Sequence, residues 1–271
     1  VPLAVSLLLL AGLYRDILPE MARQWYQDEN YSHGFLVPLV SAWFLYRSRW
    51  ELLEAEIEPW LPGFVVFLLG LLQLVAGWLG TELFTMRSSV IITLSGIVLF
   101  FFGKRLFHLT LLPLGYLLFM VPLPYLLYDA VAFPLRLFMT RVSVALMNLN
   151  GVVVLREGNV IMLPQTTLEV ADACSGIRSI ISLVAVSTAF AFTLSLSPAA
   201  RAVLILSAVP IAVVANIVRI VGTGLLAQNW GAEAAEGFFH VFAGLAVFIL
   251  AVALLMAVGL FLTARRRRHD R

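Results

Sequence analysis

Charge is scarce in this chain. Asp, Glu, Lys and Arg make up 13% of its 271 residues, against 61% hydrophobic, where a soluble domain carries about 25% charged residues. A water-soluble surface of this size cannot be built from so few polar side chains. The short alternation of polar and apolar residues that marks a transmembrane barrel is missing as well. Cysteine is all but absent. Cys174 stands alone, so it has no partner for an internal disulfide, and dithiol redox chemistry has no resolving thiol. No His-Glu-x-x-His element and no cysteine cluster occurs, so neither a metal nor another cofactor is expected. The net charge of +2 carries little information alone, and no nucleic-acid partner is expected. The apolar opening Val1–Leu13 lacks a basic front and a small-residue exit, so it does not read as a cleavable signal peptide.

What is present is a series of long, continuous apolar runs. Lipid admits only helices or closed barrels. The chain therefore reads as an all-α integral membrane protein, a single polytopic domain over residues 1–271 embedded in a lipid bilayer. About eight transmembrane helices are expected: Val1–Leu18, Phe35–Tyr46 with its flanks, Leu61–Gly80, Ser88–Gly103, Leu106–Leu127, Ile177–Leu196, Ala202–Thr223 and Phe238–Thr263. Most approach the roughly 20 apolar residues that cross about 30 Å of hydrocarbon.

Lys and Arg near the span ends set the orientation. The run Arg265-Arg266-Arg267-Arg268 belongs in the cytoplasm. Counting back, Arg201, Lys104-Arg105 and Arg47/Arg49 fall on the same side, with the N-terminus. Acids such as Asp16, Glu20, Glu82, Glu169 and Asp172 fall on the other. Both termini are thus expected in the cytoplasm. Residues 128–175, between the fifth and sixth spans, form an outer-face insertion. Within it, Ala130–Asn150 is apolar but places Arg136, Thr140 and Ser143 on one helical face, which reads as a helix lying in the interface. A ninth span there would put Lys104-Arg105 and Arg201 on the wrong side. Val152–Leu155 and Val160–Leu163 flank Arg156-Glu157-Gly158-Asn159 and read as a β-hairpin, with Thr166–Ala171 available as a third strand.

This arrangement delivers Cys174 to the outer start of the sixth span. Arg219 lies 18 residues beyond Arg201, a rise of about 27 Å, so it too is expected near the outer surface. His240 opens the eighth span on the same side. Taken singly, a cysteine in an apolar run is inert packing, an arginine at a span end snorkels and a histidine there caps. Their conjunction on three spans at one depth points to chemistry. If Asp172 or Ser175 caps the sixth span, Cys174 sits at the positive end of a helix, which lowers a thiol pKa. Arg178, four residues on, adds positive charge. Asn216 precedes Arg219 by three positions and shares its face, placed to orient that guanidinium or a substrate carbonyl. His33 is also outside and is a rival base, whereas His108 and His269 fall on the cytoplasmic side.

The stretch Leu168-Glu169-Val170-Ala171-Asp172-Ala173-Cys174-Ser175-Gly176-Ile177-Arg178-Ser179 resembles the core motif of the exosortase/archaeosortase family. Asn216-Ile217-Val218-Arg219-Ile220 is similar to its second motif, and Phe239-His240-Val241-Phe242-Ala243-Gly244 to its third. Asn30-Tyr31-Ser32-His33-Gly34-Phe35-Leu36-Val37-Pro38 resembles an N-terminal feature of the family. His240, where other members have arginine, favours the bacterial exosortase branch. The resemblance implies a membrane-embedded cysteine protease/transpeptidase with Cys174, Arg219 and His240 as its triad. It implies substrates with a PEP-CTERM-type signal: a Pro-Glu-Pro-like motif, a transmembrane helix and a basic tail. Cleavage is expected at the outer, periplasmic face of the bacterial inner membrane, alongside exopolysaccharide production. The acyl group is expected to pass to an unidentified acceptor nucleophile, and a substrate Glu to pair with Arg178 or Arg219. The alternative is a transporter or flippase for lipid-linked saccharides, which needs no thiol.

Overall fold

The apolar runs fold as helices whose outward sides stay bare. Leu8, Leu53, Leu72, Leu79, Leu206 and Phe261 are each well over half exposed, a pattern suited to lipid rather than water. The structure, a computed structural model, describes residues 2–164, 167–170, 176–231 and 238–269. The chain separates into two units, Val1–Tyr125 and Leu126–Arg271.

The first unit runs α1 (Pro2–Leu13), α2 (Ile17–Gln27), a 3-10 turn (Glu29–Phe35), α3 (Leu36–Arg47), α4 (Arg49–Glu54), α5 (Gly63–Leu79), α6 (Leu83–Tyr116) and a second 3-10 turn (Leu117–Met120). Gly63, Gly70 and Gly77, spaced by sevens along α5, bring its backbone against Leu99, Thr93 and Met86 of α6, where a β-carbon would collide. This is the close small-residue packing that membrane helices use. Glu82 caps α6 by accepting from the N–H groups of Phe84 and Thr85. Tyr14 turns its hydroxyl inward to Ser89 (2.6 Å) and Thr93 (3.2 Å). Where α6 ends, side chains take its carbonyls: Ser41 Oγ donates to Pro113 O (2.8 Å), and Trp25 Nε1 to Met120 O (2.9 Å). Non-helical backbone in a lipid-embedded protein requires such partners.

The second unit holds α7 (Tyr125–Leu149, its first residue in the first unit), the strands β1 (Leu155–Glu157), β2 (Val160–Met162) and β3 (Thr167–Glu169), then α8 (Ile177–Thr193), α9 (Pro198–Trp230) and α10 (Phe238–His269). The strands form an antiparallel meander, β1-β2-β3, with Glu157 opposite Val160 across a two-residue turn and Val160 opposite Glu169. Gly158 supplies the positive φ (61°) that this turn needs. Ile161, Leu163 and Val170 join Val152 and Val154 in a core shared with Met139, Val144 and Met147 of α7 and with Ile217, Ile220 and Ala227 of α9. A second core joins α8, α9 and α10 through Leu183, Leu204, Ala208 and Leu255. Ser197 caps α9 by accepting from Ala200 N, and Pro198 follows at its first position.

An all-α membrane fold is borne out, but the expected count of eight full spans is not. Among the described residues, four helical stretches are long and apolar enough to cross a membrane: Leu83–Met120, Tyr125–Leu149, Pro198–Trp230 and Phe242–Arg266. Leu3–Leu13, Gly63–Leu79 and Ile177–Thr193 are apolar but shorter. The expected spans Ser88–Gly103 and Leu106–Leu127 are joined in α6, which breaks its helical geometry at Gly103 (φ 84°, ψ −175°). The expected interfacial helix differs most. It is a continuous 25-residue helix, α7, with the dimensions of a span. Two of the three residues on the expected polar face turn inward: Thr140 and Ser143 are fully buried, while Arg136 is half-buried, and Thr140 Oγ1 donates to the Arg136 carbonyl (2.8 Å). A hydroxyl satisfied by its own helix can turn inward. The expected hairpin is a three-stranded meander whose first strand begins at Leu155, so Arg156 and Glu157 are strand rather than turn.

Candidate functional site

The meander ends at a firmly held residue. Val170 is buried, its N–H donates to Asn159 O (3.0 Å), and its carbonyl accepts from Asn159 Nδ2 (3.3 Å). Cys174, Asp172 and Ser175 lie outside the described residues. The chain is described again from Gly176, the N-cap of α8, whose φ of 76° is left-handed. The cap position therefore falls on Gly176 and not on Asp172 or Ser175. The helix starts at Ile177, and Arg178 lies on its first turn. Gly176 is enclosed: a β-carbon there would stand 2.5 Å from Met139 Cε and 3.4 Å from Asn216 Nδ2.

Asn216 is 3% exposed in the middle of α9, and its Nδ2 donates to Met139 Sδ (3.1 Å). One turn further, Arg219 lays its guanidinium on α10, where a β-carbon at Gly244 would lie 3.2 Å from both Cζ and Nη2. A cavity of about 20 Å³ opens here, lined by Ser179 of α8, Asn216 and Arg219 of α9, and Gly244 and Phe248 of α10. That is room for one water. Three helices thus meet around an amide, a guanidinium and a hydroxyl.

The expected site residues are placed as follows. Arg219 and Asn216 share a face and a cavity, as their spacing predicts. Arg219 is not at a helix end: α9 runs on to Trp230, 11 residues beyond it, or about 16 Å. Arg178 is half-buried on the first turn of α8 and is not among the residues lining the cavity. His240 falls on the first turn of α10, one turn before Gly244, and its side chain lies outside the described residues. His33 belongs to the first unit, in the turn Glu29–Phe35, where its Nε2 meets the Phe119 carbonyl at 3.1 Å. Burial holds its pKa below the ordinary value, against the opposing pull of the Phe119 and Asn30 carbonyls. Ser179 is a cavity residue that the sequence reading missed. Its adjacency to Arg178, within the same motif, was the available signal. Among the described residues no group of three or more His, Cys, Asp or Glu side chains could hold a metal.

Long apolar helices that carry a buried amide and a guanidinium between them define a polytopic membrane protein with a polar centre in its helical interior. The family model for transmembrane exosortases (Exosortase_EpsH) matches residues 25–257, and the chain belongs to that family of membrane cysteine transpeptidases. Comparison with curated proteins and with solved structures returns no match.

Proposed function

We propose that this exosortase cleaves C-terminal sorting signals of the PEP-CTERM type and passes the acyl group to an acceptor, with Cys174 as nucleophile. The thiolate of Cys174 adds to the peptide carbonyl carbon, and Arg219, with Asn216 beside it, stabilises the oxyanion. The C–N bond then breaks, and His240, holding the proton taken from the thiol, delivers it to the departing amine. The thioester left on Cys174 is attacked by a second nucleophile, which restores the thiol. An amine completes transpeptidation and water completes hydrolysis. The substrates carry a Pro-Glu-Pro-like motif, a transmembrane helix and a basic tail. The Arg265–Arg268 run lies in the cytoplasm, and the centre faces the periplasmic side of the bacterial inner membrane.

The observation that carries this reading is the packing of Asn216, Arg219 and Gly244 around one small cavity, with Gly176 set against Asn216. Cys174 is two residues from Gly176, hence within about 7 Å along the chain. His240 is one turn of α10, about 6 Å, from Gly244. Three separated motifs are therefore drawn to one place by residues that touch. Co-expression of a tagged substrate bearing such a C-terminus, with wild type and with Cys174→Ala, tests it. Processing by wild type alone is expected. Processing by both would remove Cys174 as the nucleophile, and processing by neither would favour the transporter reading.

A further inference from the structure

We infer that Met139, which belongs to none of the family-like motifs, is a positioning residue for Cys174. The inference rests on Cys174 being the nucleophile. Met139 is fully buried on α7, and its thioether fills the space above Gly176, with Cε 2.5 Å and Sδ 3.1 Å from where a β-carbon would be. The same sulfur accepts the Asn216 Nδ2 hydrogen bond at 3.1 Å. One side chain therefore holds both the left-handed turn that follows the nucleophile and the amide beside the oxyanion-binding arginine.

The chemistry suits methionine. Its unbranched chain reaches into an irregular gap that a β-branched residue would not fill. A thioether is a weak acceptor, so it fixes the amide's direction in the resting protein while releasing it cheaply to a developing oxyanion. The glycine beneath it is doubly required, by its φ of 76° and by the contact with Met139. Met147 provides an internal comparison. It is eight residues on, fully buried on the same face of α7, and its Sδ packs on Gly224 of α9, 2.6 Å from where a β-carbon would be. Gly176, though, also abuts Asn216, which lines the cavity, whereas Gly224 meets Met147 alone. The two methionines have the same burial and the same kind of glycine socket, but only one touches the turn beside Cys174.

The test uses the intact chain, in which Cys174 is the only thiol, so iodoacetamide reports on that residue alone. Met139→Ala and Met147→Ala are compared for thermal stability, for the pH profile of alkylation and for processing kinetics. Comparable losses of stability are expected from both. Only Met139→Ala should shift the alkylation profile and lower kcat by about tenfold or more, roughly 1.4 kcal/mol of barrier, with KM held within about twofold. If Met139→Ala fails to fold, Met139→Leu, which keeps the volume and loses the acceptor, carries the same readouts. Equal effects from the two positions, or an unshifted profile in the Met139 variant, overturn the inference. Processing that persists in Cys174→Ala would instead overturn the functional reading, a separate result.

Discussion

The guanidinium of Arg219 rests on the bare backbone of Gly244, so close that a β-carbon there would lie 3.2 Å from Cζ and Nη2. The arginine of one helix is thus located by the missing side chain of another. Gly244→Ala should displace the guanidinium and slow processing by about tenfold, while Arg219→Ala, which removes the donor outright, should cost about 10²–10³-fold. Steady-state processing rates of the two variants check this. An unimpaired Gly244→Val enzyme would mean that the contact does not locate the arginine.

Gly103 marks the break in α6, with a φ/ψ pair open only to glycine, and its α-carbon faces the Glu58 carbonyl. Gly103→Ala should destabilise the protein by about 1–3 kcal/mol from backbone strain alone, and more from the collision. Thermal unfolding in detergent should show a clear fall in Tm.

His33 gives a pH-dependent signature. Burial keeps it neutral in the folded protein below its ordinary value of 6.5. As pH falls through that value the unfolded chain takes up a proton that the folded chain refuses, so stability is complete above it and declines below it. His33→Gln, whose amide can still donate to the Phe119 carbonyl, should flatten this slope and leave processing within about threefold; His33→Ala should lose about 1 kcal/mol of stability. Loss of processing in His33→Gln at undiminished stability would make His33 the base in place of His240.

A membrane-impermeant maleimide added to spheroplasts should modify Cys174, whereas in inverted vesicles it should not. Labelling confined to the inverted vesicles would reverse the proposed orientation of the centre.

Much of this was legible in the sequence, for local reasons. The apolar runs announced the helices, Gly-Lys-Arg at 103–105 announced the interruption of α6, and Gly158-Asn159 announced the β-turn. The three-residue spacing of Asn216 and Arg219 placed both on one face of α9. What was not legible depends on contacts between distant residues. Asp172 and Ser175 are side chains that cap helices, but Gly176 takes the N-cap position of α8 under Met139, 37 residues earlier in the chain. Arg136, Thr140 and Ser143 looked like a water-facing stripe because composition cannot tell a polar face turned inward from one turned outward. The apolar run of the seventh expected span ends at Thr223, but Leu225, Leu226 and Ala227 carry α9 on to Trp230.

Val170 is tied to Asn159 through both its N–H and its carbonyl, and Gly176 is enclosed by Met139 and Asn216. Five residues, Ala171 to Ser175, join these two fixed points. The distance between them acts as a gauge. A single residue added or removed between Cys174 and Gly176 would change which residue stands two places before that glycine. The number of residues in that interval is therefore as much a specification of the protein as the sulfur it carries.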